Sequence, residues 1–461
     1  MNIEDIKGMK VLVMGLGLNG GGLESAAFFA KHGANVIVTD LKSQEQLKPS
    51  VLALSHFKNI DFCLGYHDIK DFENADLVIK NPAVKKAGNK YLEKAKWIES
   101  DISIFANLNH AKIIAITGTK GKSFSSKAIH YGLSGLTYHS FLGGNIGRSP
   151  LSFLENLTKD SIVVLELSSW QLGDLKLCKN FKPHIALITP IMPDHQNYYS
   201  SMQEYVDDKK IIYKNMDTED YIILNYDDEW AHHMAKDTKA NIFWYSLKPL
   251  PNHIHGSFLG TNGMFYLKKE GGTIELIEEP LKVFGLPSRQ NLSNATLAIS
   301  LLGTSINKTK KIMKNFEGVE HRMELFFKSQ SGISFYNDSA ATIPEASIMA
   351  ISSFKEKPIL IAGGTDKLLD FQTFAKNANK AKKIFLLKGS ATDKIISAFK
   401  EFSIEYNEPY SSLEELLKDL KKYAKAGDNV VFSPASASFE LFKNEFDRGE
   451  RFKKAVKEIF S

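Results

Sequence analysis

The apolar run Ile113-Ile114-Ala115-Ile116 leads directly into Thr117-Gly118-Thr119-Lys120-Gly121-Lys122-Ser123. A strand that empties into a glycine-containing loop closed by Gly-Lys-Ser predicts strand, phosphate loop and helix in succession, a unit of parallel α/β sheets. The residue types suit the chemistry. Backbone N–H groups can cradle a polyphosphate, Lys122 can neutralise β/γ charge, and the Ser123 hydroxyl can ligate magnesium. The spacing is a shortened form of the ordinary nucleotide-binding loop, because Ile116 stands where that form has its first glycine.

Short β-branched runs alternate with helical stretches along the whole chain, so the fold class is α/β with mostly parallel sheet. The chain has 461 residues, and a typical domain of roughly 150 predicts about three. Strand runs at 10–14, 36–38 and 77–79 make a Rossmann-like first domain of residues 1–100. The phosphate loop opens a central domain, 101–318, with further strands at 162–165, 185–188 and 221–224 and glycine-rich, aromatic hairpins over 256–279. A third, Rossmann-like domain, 319–461, carries strands at 358–361, 384–387 and 430–432.

Apolar residues at 43% and charged residues at 24% exclude a disordered or collagen-like chain. The net charge of +5, from 58 basic and 53 acidic residues, gives no basis for nucleic-acid binding, and Lys382-Lys383 and Lys421-Lys422 read as solvated faces. Cys63 and Cys178 lack metal or redox spacing and read as reduced thiols. Acids at Glu4 and Asp5 replace the basic region of a signal peptide, and no apolar run is long enough for a membrane span, so a cytoplasmic location is expected.

Ahead of the phosphate loop, Gly15-Leu16-Gly17-Leu18-Asn19-Gly20 follows the first strand and Asp40 the second. This dinucleotide fingerprint suits NAD or any nucleotide diphosphate, with Asp40 accepting from a ribose hydroxyl, and equally a tight turn without ligand. Glu166 and Asp194-His195 lie beyond the strands 162–165 and 185–188. Ligands of open α/β sheets bind at that carboxyl edge, which puts Glu166 and His195 beside Lys122 as magnesium-ligand candidates. Tyr205, Lys209 and Tyr213, four apart in a stretch of helical character, are expected on one face, with Lys210 on another.

Taken together, these segments resemble the Mur ligase family over essentially the whole chain. The resemblance is carried by the phosphate loop, Gly144-Asn145-Ile146-Gly147, Glu166-Leu167-Ser168-Ser169-Trp170-Gln171-Leu172, Asp194-His195, Asn291 with Asn294, His321-Arg322, Asn337-Asp338-Ser339, Gly363-Gly364 with Lys367, and Ser433-Pro434-Ala435-Ser436-Ala437-Ser438. It implies an ATP-dependent ligase that adds D-glutamate to UDP-MurNAc-L-alanine in peptidoglycan precursor synthesis, through an acyl phosphate, working as a monomer. It also implies two magnesium sites: Ser123 and Glu166 resemble ligands of one, His195 and a carbamylated Lys209 ligands of the other.

By the same resemblance, ATP would contact Gly118, Thr119, Lys120, Gly121, Lys122, Ser123, Phe124, Asn291, Arg322 and Asp338. The UDP substrate would meet Gly15, Leu16, Gly17, Leu18, Asn19, Asp40, Asn145 and Gln171, and glutamate would meet Thr342, Lys367 and Ser438. Departures from the family pattern at Ala340, Gln290, Ile343-Pro344 and Glu445-Phe446 fall mostly around the glutamate site and leave L-glutamate or another acceptor open. A folylpolyglutamate synthase shares the short loop but lacks a nucleotide-binding unit ahead of it. A nucleotide-sensing regulator would need no carbamylated lysine, and an NAD dehydrogenase leaves the loop unexplained.

Overall fold

The computed structural model describes every residue except Met1, Asn19 and 195–197, so the expectations for Asn19 and His195 lie outside the described residues. The first sheet is parallel throughout and contains β1 (Lys10–Met14), β2 (Asn35–Asp40), β3 (Ile60–Leu64), β4 (Leu77–Lys80) and β5 (Ile98–Glu99). Its order, β3-β2-β1-β4-β5, reverses at β1. That reversal opens a crevice at the carboxyl ends of β1 and β4, where the glycine turn emerges.

The second sheet contains β6 (Lys112–Thr117), β7 (Ser140–Gly144), β8 (Ile162–Glu166), β9 (Ile185–Ile188), β10 (Tyr221–Asn225), β11 (Asn241–Ser246), β12 (Gly256–Leu259), β13 (Phe265–Lys269) and β14 (Gly272–Glu275). Its order is β14-β13-β12-β11-β10-β9-β6-β8-β7, and only the pairs β12–β13 and β13–β14 are antiparallel. Strand β6 is buried on both faces, as its Ile-Ile-Ala-Ile run requires. Helix Asp101–Leu108 enters between the two sheets, started by Ser100 accepting from the Ser103 backbone N–H, and buries Ile102, Ile104 and Phe105. The apolar side chains of both sheets merge into one core.

The third sheet contains β15 (Glu324–Lys328), β16 (Ser334–Asn337), β17 (Ile359–Ala362), β18 (Lys383–Leu387), β19 (Asn407–Tyr410) and β20 (Asn429–Phe432), in the order β15-β16-β20-β17-β18-β19. Separate apolar clusters fill its two faces. Helix Leu413–Tyr423 shows the pattern: Leu413, Leu416, Leu417 and Leu420 are buried at helical spacing, while Lys421 and Lys422 are exposed. By contact density the chain forms two compact units, one of 1–278 and 291–313 with the first two sheets, the other of 279–290 and 314–461 with the third. Among the described residues no helix is long and apolar enough to cross a membrane.

Beyond the carboxyl ends of the third sheet, Arg448 holds the connecting loops from complete burial. Its guanidinium donates to Ser339 Oγ at 3.0 Å, Ser339 O at 2.7 Å, Ser436 O at 3.1 Å and Ala437 O at 2.9 Å. Burial lowers its pKa to about 10, so it stays charged at neutral pH. Arg448→Ala leaves those buried acceptors without a donor, and we expect a stability loss of about 3 kcal/mol, read as a lower urea midpoint of the second unit.

Candidate functional site

At the carboxyl edge of the second sheet the parallel register pairs Ile116 with Glu166 and Thr117 with Ile188. The phosphate loop is thus flanked by the segments after β8 and β9. Thr117 Oγ1 donates to Leu167 O at 2.8 Å, and the backbone N–H of Thr119 donates to Pro190 O at 2.9 Å. Thr189 presses on the loop so closely that a Cβ at Gly118, where φ is +134°, would lie 2.0 Å from its Oγ1. Gly121 then caps helix Lys122–Gly135, which orients the first-turn N–H groups of Lys122, Ser123 and buried Phe124 towards an anion. Asn291 packs against Gly121. Lys120 lies 3.7 Å from Asp194.

Lys122 folds over the loop, its Nζ donating to Gly118 O and Thr119 O, each at 2.9 Å. Lys209 Nζ reaches the same Gly118 O at 2.9 Å from helix Met202–Lys210. Its ammonium end lies 4.4 Å above the Tyr205 ring, whose hydroxyl is 3.0 Å from Thr119 Oγ1. Burial, with the neighbouring Lys122 charge adding to it, holds the Lys209 pKa well below the usual lysine value. This is the condition for a free amine. The α-helix ends at Lys210 and a 3-10 turn, Ile211–Tyr213, follows; Tyr213 is buried, as Tyr205 and Lys209 are. Tyr213 lines a cavity with Lys210, whose own ammonium pairs with Asp237 at 2.6 Å.

In the first sheet Asp40 turns inward. Its carboxylate accepts from the Gly17 N–H at 3.1 Å and the Lys42 N–H at 2.9 Å, which holds the glycine turn in shape. Leu16 is buried and Leu18 exposed. Gly20 approaches the second sheet's Gly144–Gly147 turn, its Cβ position lying 2.8 Å from Gly147 O, so exposed Asn145 neighbours the glycine turn. Gln171 is buried, with Oε1 accepting from the Ser168 N–H in a capping box at the start of helix Ser169–Asp174. That bond leaves its amide NH2 as the group available to a ligand.

In the second unit, the segments bearing Thr342, Ser438 and Lys367 follow β16, β20 and β17, three adjacent strands whose parallel order brings their carboxyl ends together. Thr365 and Ala437 form a backbone bridge, and Lys367 Nζ lies 5.6 Å over the Phe439 ring, so the Lys367 and Ser438 loops adjoin. Ser438 Oγ is buried without a hydrogen-bond partner. Asp338 accepts from Ser433 Oγ at 2.7 Å and the Met323 N–H at 3.1 Å, and burial raises its pKa to about 7 despite the opposing charge of exposed Arg322. Ala340 donates its N–H to His321 O, Gln290 is buried, and Glu445 O accepts from Ser339 Oγ at 2.7 Å.

Sequence reasoning missed Thr189, which braces the loop, and Arg448, Lys80 and Asp174, which act far from their sequence neighbours. A threonine and proline directly after a strand was the available signal for Thr189. The long-range partners carried none.

Residues 116–302 match the Mur ligase middle domain and 321–436 the Mur ligase, glutamate ligase domain. The chain is 42% identical to a UDP-N-acetylmuramoylalanine--D-glutamate ligase of Borreliella burgdorferi, covering 100% of both chains. It is 37% identical to the protein of the same description from Treponema pallidum, over 99% of this chain and 98% of that one. A solved UDP-N-acetylmuramate-alanine ligase from Thermotoga maritima shares the fold, with TM-score 0.63 at 19% identity over 98% of this chain and 99% of the other.

The loop geometry yields a direct test. Gly118→Ala cannot keep its positive φ or its approach to Thr189, so we expect nucleotide affinity to fall at least about tenfold while the circular dichroism spectrum is kept. Isothermal calorimetry with an ATP analogue measures the first effect.

Proposed function

The chain belongs to the Mur ligase family, and from that membership we propose that it joins D-glutamate to UDP-N-acetylmuramoyl-L-alanine, converting ATP to ADP and phosphate. Full-length similarity to relatives described by that reaction is the observation that carries the reading. The phosphate loop and the adjoining Lys367 and Ser438 loops support it with a nucleotide edge and an acceptor edge. Location in the cytoplasm and action as a monomer belong to the same reading.

A carboxylate is a poor electrophile, because amine attack would have to expel oxide. Transfer of the γ-phosphoryl group to the muramoyl carboxylate makes that oxygen part of a phosphate leaving group. The amine of glutamate then adds to the acyl carbon, the amide forms, and the C–O bond to phosphate breaks. Lys122 and the first-turn N–H groups of the loop hold the polyphosphate and offset its charge. Asn291, Arg322 and Asp338 complete the ATP contacts in this scheme. The glycine turn, Asp40, Asn145 and the Gln171 amide take the UDP substrate. Thr342, Ser438 and Lys367 receive glutamate, the buried Ser438 hydroxyl supplying a hydrogen bond and Lys367 the charge.

The donor set suits magnesium. The Ser123 hydroxyl and the buried Glu166 carboxylate offer hard oxygens that would hold the ion. Magnesium, when bound, neutralises phosphate charge. A second ion would use His195 and Lys209. As the free amine favoured by burial, Lys209 would add to carbon dioxide, lose one proton and become a carbamate, replacing a donor with an oxygen ligand.

Two experiments test the reading. Phosphate release should require UDP-MurNAc-L-alanine, with D-glutamate consumed over L-glutamate in equal competition; predominant L-isomer in the product would overturn the acceptor assignment that the substitutions at Ala340, Ile343 and Glu445 put at stake. Lys209→Ala should lose at least about 100-fold in kcat, roughly 3 kcal/mol, and regain part of it with added formate or acetate. Lys210→Ala, which loses the pairs with Asp237 and Asp207, should keep most activity; equal unrescued losses would contradict the carbamate.

A further inference from the structure

Lys80 ends β4 in the first sheet, and Asp174 ends helix Ser169–Asp174, which follows β8 in the second. Lys80 Nζ lies 2.7 Å from Asp174 Oδ2, with the side chains 5% and 15% exposed. Asp101, also buried, faces both: its charge is offset by Lys80 and repels that of Asp174. A carboxylate at the C-terminal end of a helix opposes the helix dipole, so Asp174 is held there by the lysine and not by its own helix.

Each partner is attached to a different half of the proposed substrate site. Asn81, next to Lys80, donates its N–H to Met14 O at 2.9 Å, and its Cβ lies 2.9 Å from the Cβ position of Gly15. The Lys80–Asn81 corner therefore supports the glycine turn, with a cavity of about 20 Å³ bordered by Gly15, Gly22, Lys80, Asn81 and Asp101 beside it. On the other side, the helix ending in Asp174 starts from the Ser168–Gln171 capping box, immediately after Glu166 and Leu167. The ion pair joins the nucleotide turn to the edge of the phosphate loop.

We propose that Lys80 and Asp174 are positioning residues that set the spacing between two half-sites bridged by one long substrate, its nucleotide at the glycine turn and its reacting carboxylate beside the phosphate loop. Buried ion pairs stabilise little more than apolar replacements of similar size, so the pair's contribution is geometric. The titratable groups facing Asp174 are Lys80 from β4, Asp101 from helix Asp101–Leu108, Asp208 from helix Met202–Lys210 and the Tyr198 phenol from the segment before that helix. Burial, with Asp101 and Asp208 adding to it against Lys80, raises Asp174 to about 6, so the strut loses its charge below that pH.

The proposal rests on the function given above, and its test separates the two. Wild type, Asp174→Asn and the apolar double variant Lys80→Met/Asp174→Leu are compared for affinity for UDP alone, KM for ATP and KM for UDP-MurNAc-L-alanine. The double variant removes both charges together and so avoids leaving either one buried alone. In both variants, misaligned half-sites should raise KM for the full muramoyl nucleotide about tenfold while UDP affinity and KM for ATP stay within about twofold. Wild-type KM for the muramoyl nucleotide should rise as pH falls through 6, and that rise should vanish in Asp174→Asn. An unchanged muramoyl KM in the folded double variant overturns the proposal, as does a parallel fall in affinity for UDP alone. Wild-type protein that forms no product from the muramoyl nucleotide overturns the underlying function, and the proposal with it.

Discussion

Two lysine heads, Lys122 and Lys209, each lie 2.9 Å from one acceptor, the carbonyl oxygen of Gly118. Two ammonium groups cannot share an oxygen without mutual repulsion, and burial of Lys209, at 1% exposure, together with the neighbouring Lys122 charge depresses the charge of Lys209. The surrounding structure maintains this crowding. Thr189 pins the loop from β9, Leu167 holds it from β8, and Thr119 ties it through Tyr205 to the helix that carries Lys209. A polyphosphate entering the loop would give Lys122 a stronger acceptor than a carbonyl, and a carbamate on Lys209 would replace repulsion by attraction. The site is assembled in a form that anions complete.

The parts of this site readable from sequence are those set by local geometry. A buried strand followed by glycines and Lys122-Ser123 defines its own loop, and the Ile116–Glu166 register sets Glu166 at the same carboxyl edge of the sheet. What escaped notice has physical reasons. Strand β7, Ser140–Gly144, contains two glycines and lies at a sheet edge, so it lacks the apolar run of a central strand. Strands β3, β5, β15 and β19 are likewise edge strands.

Long-range pairing is a second limit. Asp174 and Lys80 are 94 positions apart, and neither looks unusual in its own segment. Arg448 lies within a charged, amphipathic helix, Glu445–Phe460, and reads as one more surface cation until its five-donor fork is seen to collect carbonyls from two loops. Such residues position chemistry without taking part in it. In the second unit Arg448 ties together the loops that follow β16 and β20, and the order β16-β20-β17 brings the segments of Thr342, Ser438 and Lys367 to one edge although they lie far apart in sequence.

The central claim is that the phosphate-loop edge activates a substrate carboxylate by phosphoryl transfer. The most direct measurement follows oxygen. UDP-MurNAc-L-alanine labelled with 18O in the alanyl carboxylate is turned over with ATP and D-glutamate, and the released phosphate is examined by mass spectrometry. Acyl-phosphate chemistry transfers one carboxylate oxygen to each phosphate, so the label should appear there in proportion to product. Product formed with unlabelled phosphate would contradict the account.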